Sequence, residues 1–197
     1  MKKTLIKNAK IVTDGVTKEG DVYIEGDTII EIAESISAKN ADTVIIDIEG
    51  KYLLPGVIDD QVHFREPGLT HKATIATESA AAVAGGITTF MEMPNTNPQT
   101  TTIEEWESKM AIAQRDSHAN YAFMFGGTND NLKEILKVDT SRVPALKLFL
   151  GSSTGNMLID DKEVLREIFL NVKLRIALHC EDEATITANF KKAFDKY

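Results

Sequence analysis

Residues 5–12, 21–25, 28–32 and 43–47 are short runs rich in β-branched side chains, several of them alternating apolar with polar. The turns between them carry Asp14-Gly15, Glu25-Gly26-Asp27 and Glu49-Gly50. Glu25-Gly26, set between two alternating runs, predicts a hairpin. Residues 1–52 therefore read as a small all-β unit. From Leu53 the rhythm changes to strand, loop, helix. Apolar strands are predicted over 57–62, 88–93, 121–125, 145–149 and 175–179. Residues 74–84 are alanine-rich and stop at Gly85-Gly86, a C-cap pattern. Residues 103–113 follow Thr101-x-x-Glu104, read as a capping box. Helical stretches at 131–137, 161–169 and 184–197 complete the set.

Apolar strands spaced by helices imply a parallel sheet with covered faces. Polar chemistry collects at the strand ends. His63 and Arg65 follow the first, Pro94-Asn95-Thr96 the second and Gly126-Gly127-Thr128 the third. Lys147 lies inside the fourth, and His179 closes the fifth with Glu181 after it. Such an arrangement suits a (β/α)8 barrel, whose sites form at the C-terminal ends of its strands. A doubly wound sheet also binds ligands there, but no glycine-rich phosphate loop follows the first strand. The fold class expected is α/β: a partial TIM-like barrel over 53–197, preceded by a β-rich domain over 1–52. A whole barrel takes roughly 250 residues, and five strand–helix units of eight are legible, so an incomplete enzyme is expected.

Composition narrows the partners. A chain of 197 residues, 43% apolar and 26% charged, is ordinary for a soluble globular protein. The net charge of −8 argues against nucleic acid or an anionic membrane as partner. Cys180 is the single cysteine, so no internal disulfide forms, which fits a reducing cytoplasm. No apolar run approaches the roughly 18 residues that span a bilayer. Lys2-Lys3 opens no apolar stretch long enough for a secretory signal. A cytoplasmic location is expected.

Five segments, in order and on consecutive strands, carry a family resemblance. They are Pro55-Gly56-Val57-Ile58-Asp59, His63-Phe64-Arg65-Glu66-Pro67-Gly68, Met93-Pro94-Asn95-Thr96, Leu146-Lys147-Leu148-Phe149 and His179-Cys180-Glu181. Together they resemble the dihydroorotases of the amidohydrolase superfamily, most closely the bacterial form of pyrimidine biosynthesis. The resemblance implies reversible, metal-dependent hydrolysis of dihydroorotate to N-carbamoyl-aspartate. It implies one or two zinc ions and a small substrate bearing a carboxylate. A homodimer and a complex with aspartate carbamoyltransferase are the partner states considered.

The resemblance distributes roles along the chain. His63 matches the second imidazole of a His-x-His metal pair. Gln61 stands where the family has the first histidine; its amide oxygen is a harder, weaker donor, so it either ligates or bonds to metal-bound water. Lys147 matches a lysine that relatives N-carboxylate with CO2 into a metal-bridging carbamate; the bland reading is an ion-paired or snorkelling lysine. His179 matches the next metal histidine, with Glu181 behind it or facing solvent. Arg65 presents a planar fork suited to the substrate carboxylate, and Asn95 a rigidly held amide for the substrate. Their bland readings are a surface salt bridge from Arg65 to Glu66 and a turn-stabilising Asn95. The family's sixth-strand histidine and its proton-shuttling aspartate are expected beyond Tyr197, so the catalytic acid/base is unassigned and the isolated chain is expected to turn over negligibly. Two alternatives stand: an allantoinase- or hydantoinase-like cyclic amidohydrolase, and a non-catalytic scaffold for aspartate carbamoyltransferase. His71 and His118 read as exposed, and Cys180 as a small core residue.

Overall fold

The computed structural model describes residues 1–38, 40–151 and 157–196. They form two compact units, divided between Gly56 and Val57. The division falls four residues after the expected one because Tyr52–Leu53 (β5) is a strand of the first unit. It pairs in parallel with Lys3–Thr13 (β1), and the Lys10 amide donates to the Lys51 carbonyl at 2.9 Å.

In the first unit β1 pairs antiparallel with Val16–Glu25 (β2) and parallel with Val44–Asp47 (β4), while Thr28–Ala33 (β3) flanks β2. Asp14 and Gly15, with φ of 48° and 74°, close the β1–β2 hairpin, the double positive φ that a tight two-residue turn needs. Leu5, Tyr23 and Ile36 form one small core and Ala9, Ile11 and Val22 another. The buried Asp21 carboxylate accepts from the Asn8 amide at 3.0 Å, the Ile36 amide at 2.9 Å and Lys7 Nζ at 2.8 Å. It ties the β1 bulge to the chain leaving β3.

The second unit carries two parallel three-stranded sheets. Val57–Val62 (β6), Ile87–Glu92 (β7) and Asn120–Phe123 (β8) form one; Phe125–Gly126 (β9), Leu146–Phe149 (β10) and Ile176–His179 (β11) form the other. The single strand expected over 121–125 is broken at Met124, whose amide turns to the Glu92 carbonyl at 3.0 Å. Five helices intervene or follow: Ile75–Ala84 (α1), Ile103–Asp116 (α2), Leu132–Ile135 (α3), Lys162–Asn171 (α4) and Glu183–Phe194 (α5). The cap of α2 is Thr102 rather than Thr101: its side chain accepts from the Glu105 amide at 3.2 Å. The helix expected over 131–137 is only the four residues of α3, capped at Leu136, and the loop beyond it carries Val138 and Val143 into the core.

Register assigns the strand faces. Phe90, Phe123, Leu146 and Leu148 pack with Ile75, Trp106 and Ile168 of the helices, so this face belongs to the core. Met93, Met124 and Ala145 cluster with Met91 and Ala177 on the other. Lys147 pairs with Ala177, and Phe149 with His179. Alternation therefore puts Lys147 and His179 on the second face, at its C-terminal end. The described residues contain no helix long and apolar enough to cross a membrane.

Candidate active site

The loop leaving β6 carries His63 and the loop leaving β7 carries Asn95. Their side chains meet: His63 Nδ1 lies 2.9 Å from Asn95 Oδ1. An amide oxygen can only accept, so Nδ1 carries the proton and Nε2 keeps its lone pair. Two further contacts join these loops. The Asn97 amide donates to the Pro67 carbonyl at 3.1 Å, and Gly68 lies against the Asn97 backbone.

Arg65 sits between them in a left-handed conformation, φ 70°. A side chain there costs about 1–2 kcal/mol, and the Arg65 amide is held by Glu92 Oε1 at 3.1 Å. Its guanidinium forms no hydrogen bond or ion pair with any described residue. The salt bridge to Glu66 does not form, because Glu66 Oε2 accepts from the Ile75 amide at 2.7 Å at the start of α1. Arg65 is thus a partly buried cation open to an anion from outside.

Lys147 is 4% exposed and has no hydrogen-bonding or ionic partner among the described residues. Its strand neighbours are Gly126 and Ala177, and its Nζ lies 5.2 Å from the centre of the Phe149 ring. The His179 ring is 6.1 Å from the same ring, so Lys147 and His179 border Phe149. His179 Nε2 lies 3.0 Å from Glu181 Oε1. A carboxylate accepts, so in the neutral ring Nε2 carries the proton and Nδ1 the lone pair. Burial pushes the Lys147 amine down. It also pushes the His63 imidazole down; the Asn95 contact works against this, and the charges of Arg65, Lys147 and Lys109 reinforce it.

The dihydro-orotase-like family model matches residues 50–134. A dihydroorotase of Methanosarcina acetivorans is 35% identical over 182 residues, which are 90% of this chain and 38% of that protein. Residues 50–134 thus follow the dihydro-orotase-like pattern, and similarity to dihydroorotases extends over nine tenths of the chain. An allantoinase of Desulfitobacterium hafniense is 32% identical over 183 residues, 90% of this chain and 40% of its own length. Among solved structures, an L-hydantoinase (dihydropyrimidinase) of Arthrobacter aurescens aligns with TM-score 0.84 and 30% identity, over 98% of this chain and 44% of that one. The chain spans about two fifths of the length of these relatives.

Set against a dihydroorotase-like site, the donors are unevenly provided. Two imidazoles each present one lone-pair nitrogen. Gln61 is exposed, and its side-chain amide makes no hydrogen bond among the described residues; its backbone amide is held by Asp59 Oδ1 at 3.1 Å. Among the described residues no three His, Cys, Asp or Glu side chains converge to hold a metal. The donor set fits a metal only with Lys147 as a member. A protonated amine cannot ligate; the neutral amine that burial favours, or its CO2 adduct, can. Cys180 is exposed rather than in the core, since the residue after His179 turns out of the strand.

Sequence reasoning missed the pair behind the site. Glu92 and Lys109 are both buried, with Lys109 Nζ 3.0 Å from Glu92 Oε2. Burial pushes the Glu92 carboxyl up and the Lys109 amine down, while each one's charge pulls the other back. The signal was present. Glu92 interrupts an apolar strand, and Lys109 stands three residues from Trp106 on the buried stripe of α2.

Proposed function

We propose that this protein is a dihydroorotase, a metal-dependent hydrolase that opens dihydroorotate to N-carbamoyl-aspartate and closes it in reverse. The observation that carries this reading is Arg65. A hydantoin ring is neutral, whereas dihydroorotate bears a carboxylate, and Arg65 offers an unclaimed planar fork beside His63. The consecutive parallel strands with intervening helices are read as the first five units of a TIM-like barrel.

In this reading His63 through Nε2, His179 through Nδ1, Lys147 and Gln61 hold one or two zinc ions. When bound, zinc brings the pKa of water from 15.7 to roughly 7 and polarises the ring carbonyl. Lys147 acts as its carbamate: the neutral amine adds to CO2 and releases a proton, giving an anionic oxygen donor where an ammonium would be costly. Arg65 binds the substrate carboxylate with two parallel N–H···O bonds. Asn95 fixes the His63 tautomer and stands beside the substrate amide. The proton transfer to the departing nitrogen has no residue assigned in this chain.

Zinc analysis and calorimetric titration with N-carbamoyl-aspartate test the proposal. Zinc should copurify, and Arg65→Ala should weaken the carboxylate ligand by about tenfold or more, roughly 1.4 kcal/mol, while zinc content stays. Unchanged affinity in Arg65→Ala would refute the assignment. The alignment with a hydantoinase supports a second reading, a neutral cyclic amide as substrate; tighter binding of a hydantoin than of the carboxylate ligand would establish it. A zinc-free protein that copurifies with aspartate carbamoyltransferase would instead be a scaffold. A cytoplasmic location and a homodimer complete the proposal, to be checked by fractionation and sedimentation.

A further inference from the structure

Glu92 and Lys109 lie behind the site rather than in it, yet each grips one of the loops that form it. Glu92 Oε1 accepts from the Arg65 amide at 3.1 Å, on the loop after β6. Lys109 Nζ donates to the Met93 carbonyl at 3.1 Å and to Thr100 Oγ1 at 3.3 Å, with Thr96 Oγ1 at 3.5 Å, all on the segment after β7. The Oε2–Nζ contact at 3.0 Å joins the two halves.

Stability alone does not explain such a pair. Taking two charges out of water is costly, and a well-packed apolar pair of similar volume commonly does as well. An apolar pair could not accept from an amide held at φ 70°, nor donate into the β7 loop. Those directional bonds are what the charges add.

We propose that Glu92 and Lys109 are positioning residues, a buried clamp that sets the β6 and β7 loops in register so that His63 Nδ1–H meets Asn95. This rests on reading His63 and Arg65 as site residues. The clamp fixes which imidazole nitrogen is offered to a ligand and where the Arg65 fork points. Without it the imidazole is free to populate both tautomers.

The test uses ¹⁵N-imidazole NMR on the full metal-free chain. It compares wild type with two charge-free double variants, Glu92→Gln with Lys109→Met and Glu92→Leu with Lys109→Met. The first retains an acceptor for the Arg65 amide and the second does not. His63 should be the Nδ1–H tautomer in wild type, largely so in the glutamine variant, and a mixture in the leucine variant. Zinc affinity should fall about 10- to 100-fold in the leucine variant, as for outer-shell partners of metal ligands, and less in the glutamine variant. Equal tautomer populations and zinc affinities in the two variants would overturn the clamp. In wild type the Arg65 amide should exchange slowly with solvent. Rapid exchange there would overturn the proposal even if the leucine variant failed to fold. Wild-type indifference to zinc and N-carbamoyl-aspartate would instead defeat the dihydroorotase reading and leave the tautomer result intact.

Discussion

Gly68 and Asn97 touch across the two site loops so closely that a Cβ on Gly68 would stand 1.8 Å from the Asn97 carbonyl oxygen. Gly68 also has φ +79°. Steric space and backbone conformation therefore both demand glycine here. Gly68→Ala should destabilise the second unit by about 3 kcal/mol, lowering Tm by roughly 6–12 °C. A melt within 2 °C of wild type, roughly, would show that the loops are not locked together here.

Asn95 accepts from His63 Nδ1 across the two site loops. Asn95→Ala should leave the fold intact and weaken zinc binding by about 10- to 100-fold. Competition with a chelating dye measures it. Asn95→Asp, which keeps an acceptor oxygen, should recover most of the loss.

Lys147 offers a chemical readout. Its amine is pushed down by burial, so at a given pH more of it is neutral and able to add CO2 than in an exposed lysine. With ¹³C-bicarbonate a carbamate carbon signal should appear, growing as pH rises and vanishing as pH falls and the amine protonates. Lys147→Arg should abolish it. A signal that persists in Lys147→Arg would place the adduct elsewhere.

Asp21 governs the acid limb of the first unit. Burial raises its carboxyl, but the bonds from Lys7, Ile36 and Asn8 outweigh this and hold it below its ordinary 3.8. A carboxyl depressed in the folded state contributes stability that is fully present above its unfolded pKa, about 3.9. That contribution is lost as pH falls through the lower folded value. Asp21→Asn should therefore be less stable than wild type at pH 7, with the difference shrinking below about pH 4. Urea midpoints at several pH values check this.

Much of the fold was legible because local and tertiary preferences agree. The strand expected over 57–62 is Val57–Val62, and Trp106 is buried as its helical spacing with Met110 implies. The misreadings arise where a side chain or loop answers to distant partners. Thr102 and Thr101 are equally good caps on paper; the contact of the Ile103 amide with Glu134 Oε1 at 3.2 Å belongs to a helix start at Ile103. The helix expected over 131–137 stops at Ile135, and the loop beyond it carries Val138 and Val143 into the core. For the site, the motifs named His63, Arg65, Asn95, Lys147 and His179, but only coordinates bring Asn95 to His63. Glu92 and Lys109 are 17 positions apart in sequence, and no motif connects a strand carboxylate to a helix amine.

That buried couple also constrains how the protein can drift. A lone ammonium or carboxylate stranded at such depth is far costlier than either the couple or an oily substitute. Positions 92 and 109 should therefore change together: lineages are expected to hold both ionic partners or replace both, with half-exchanged forms selected against.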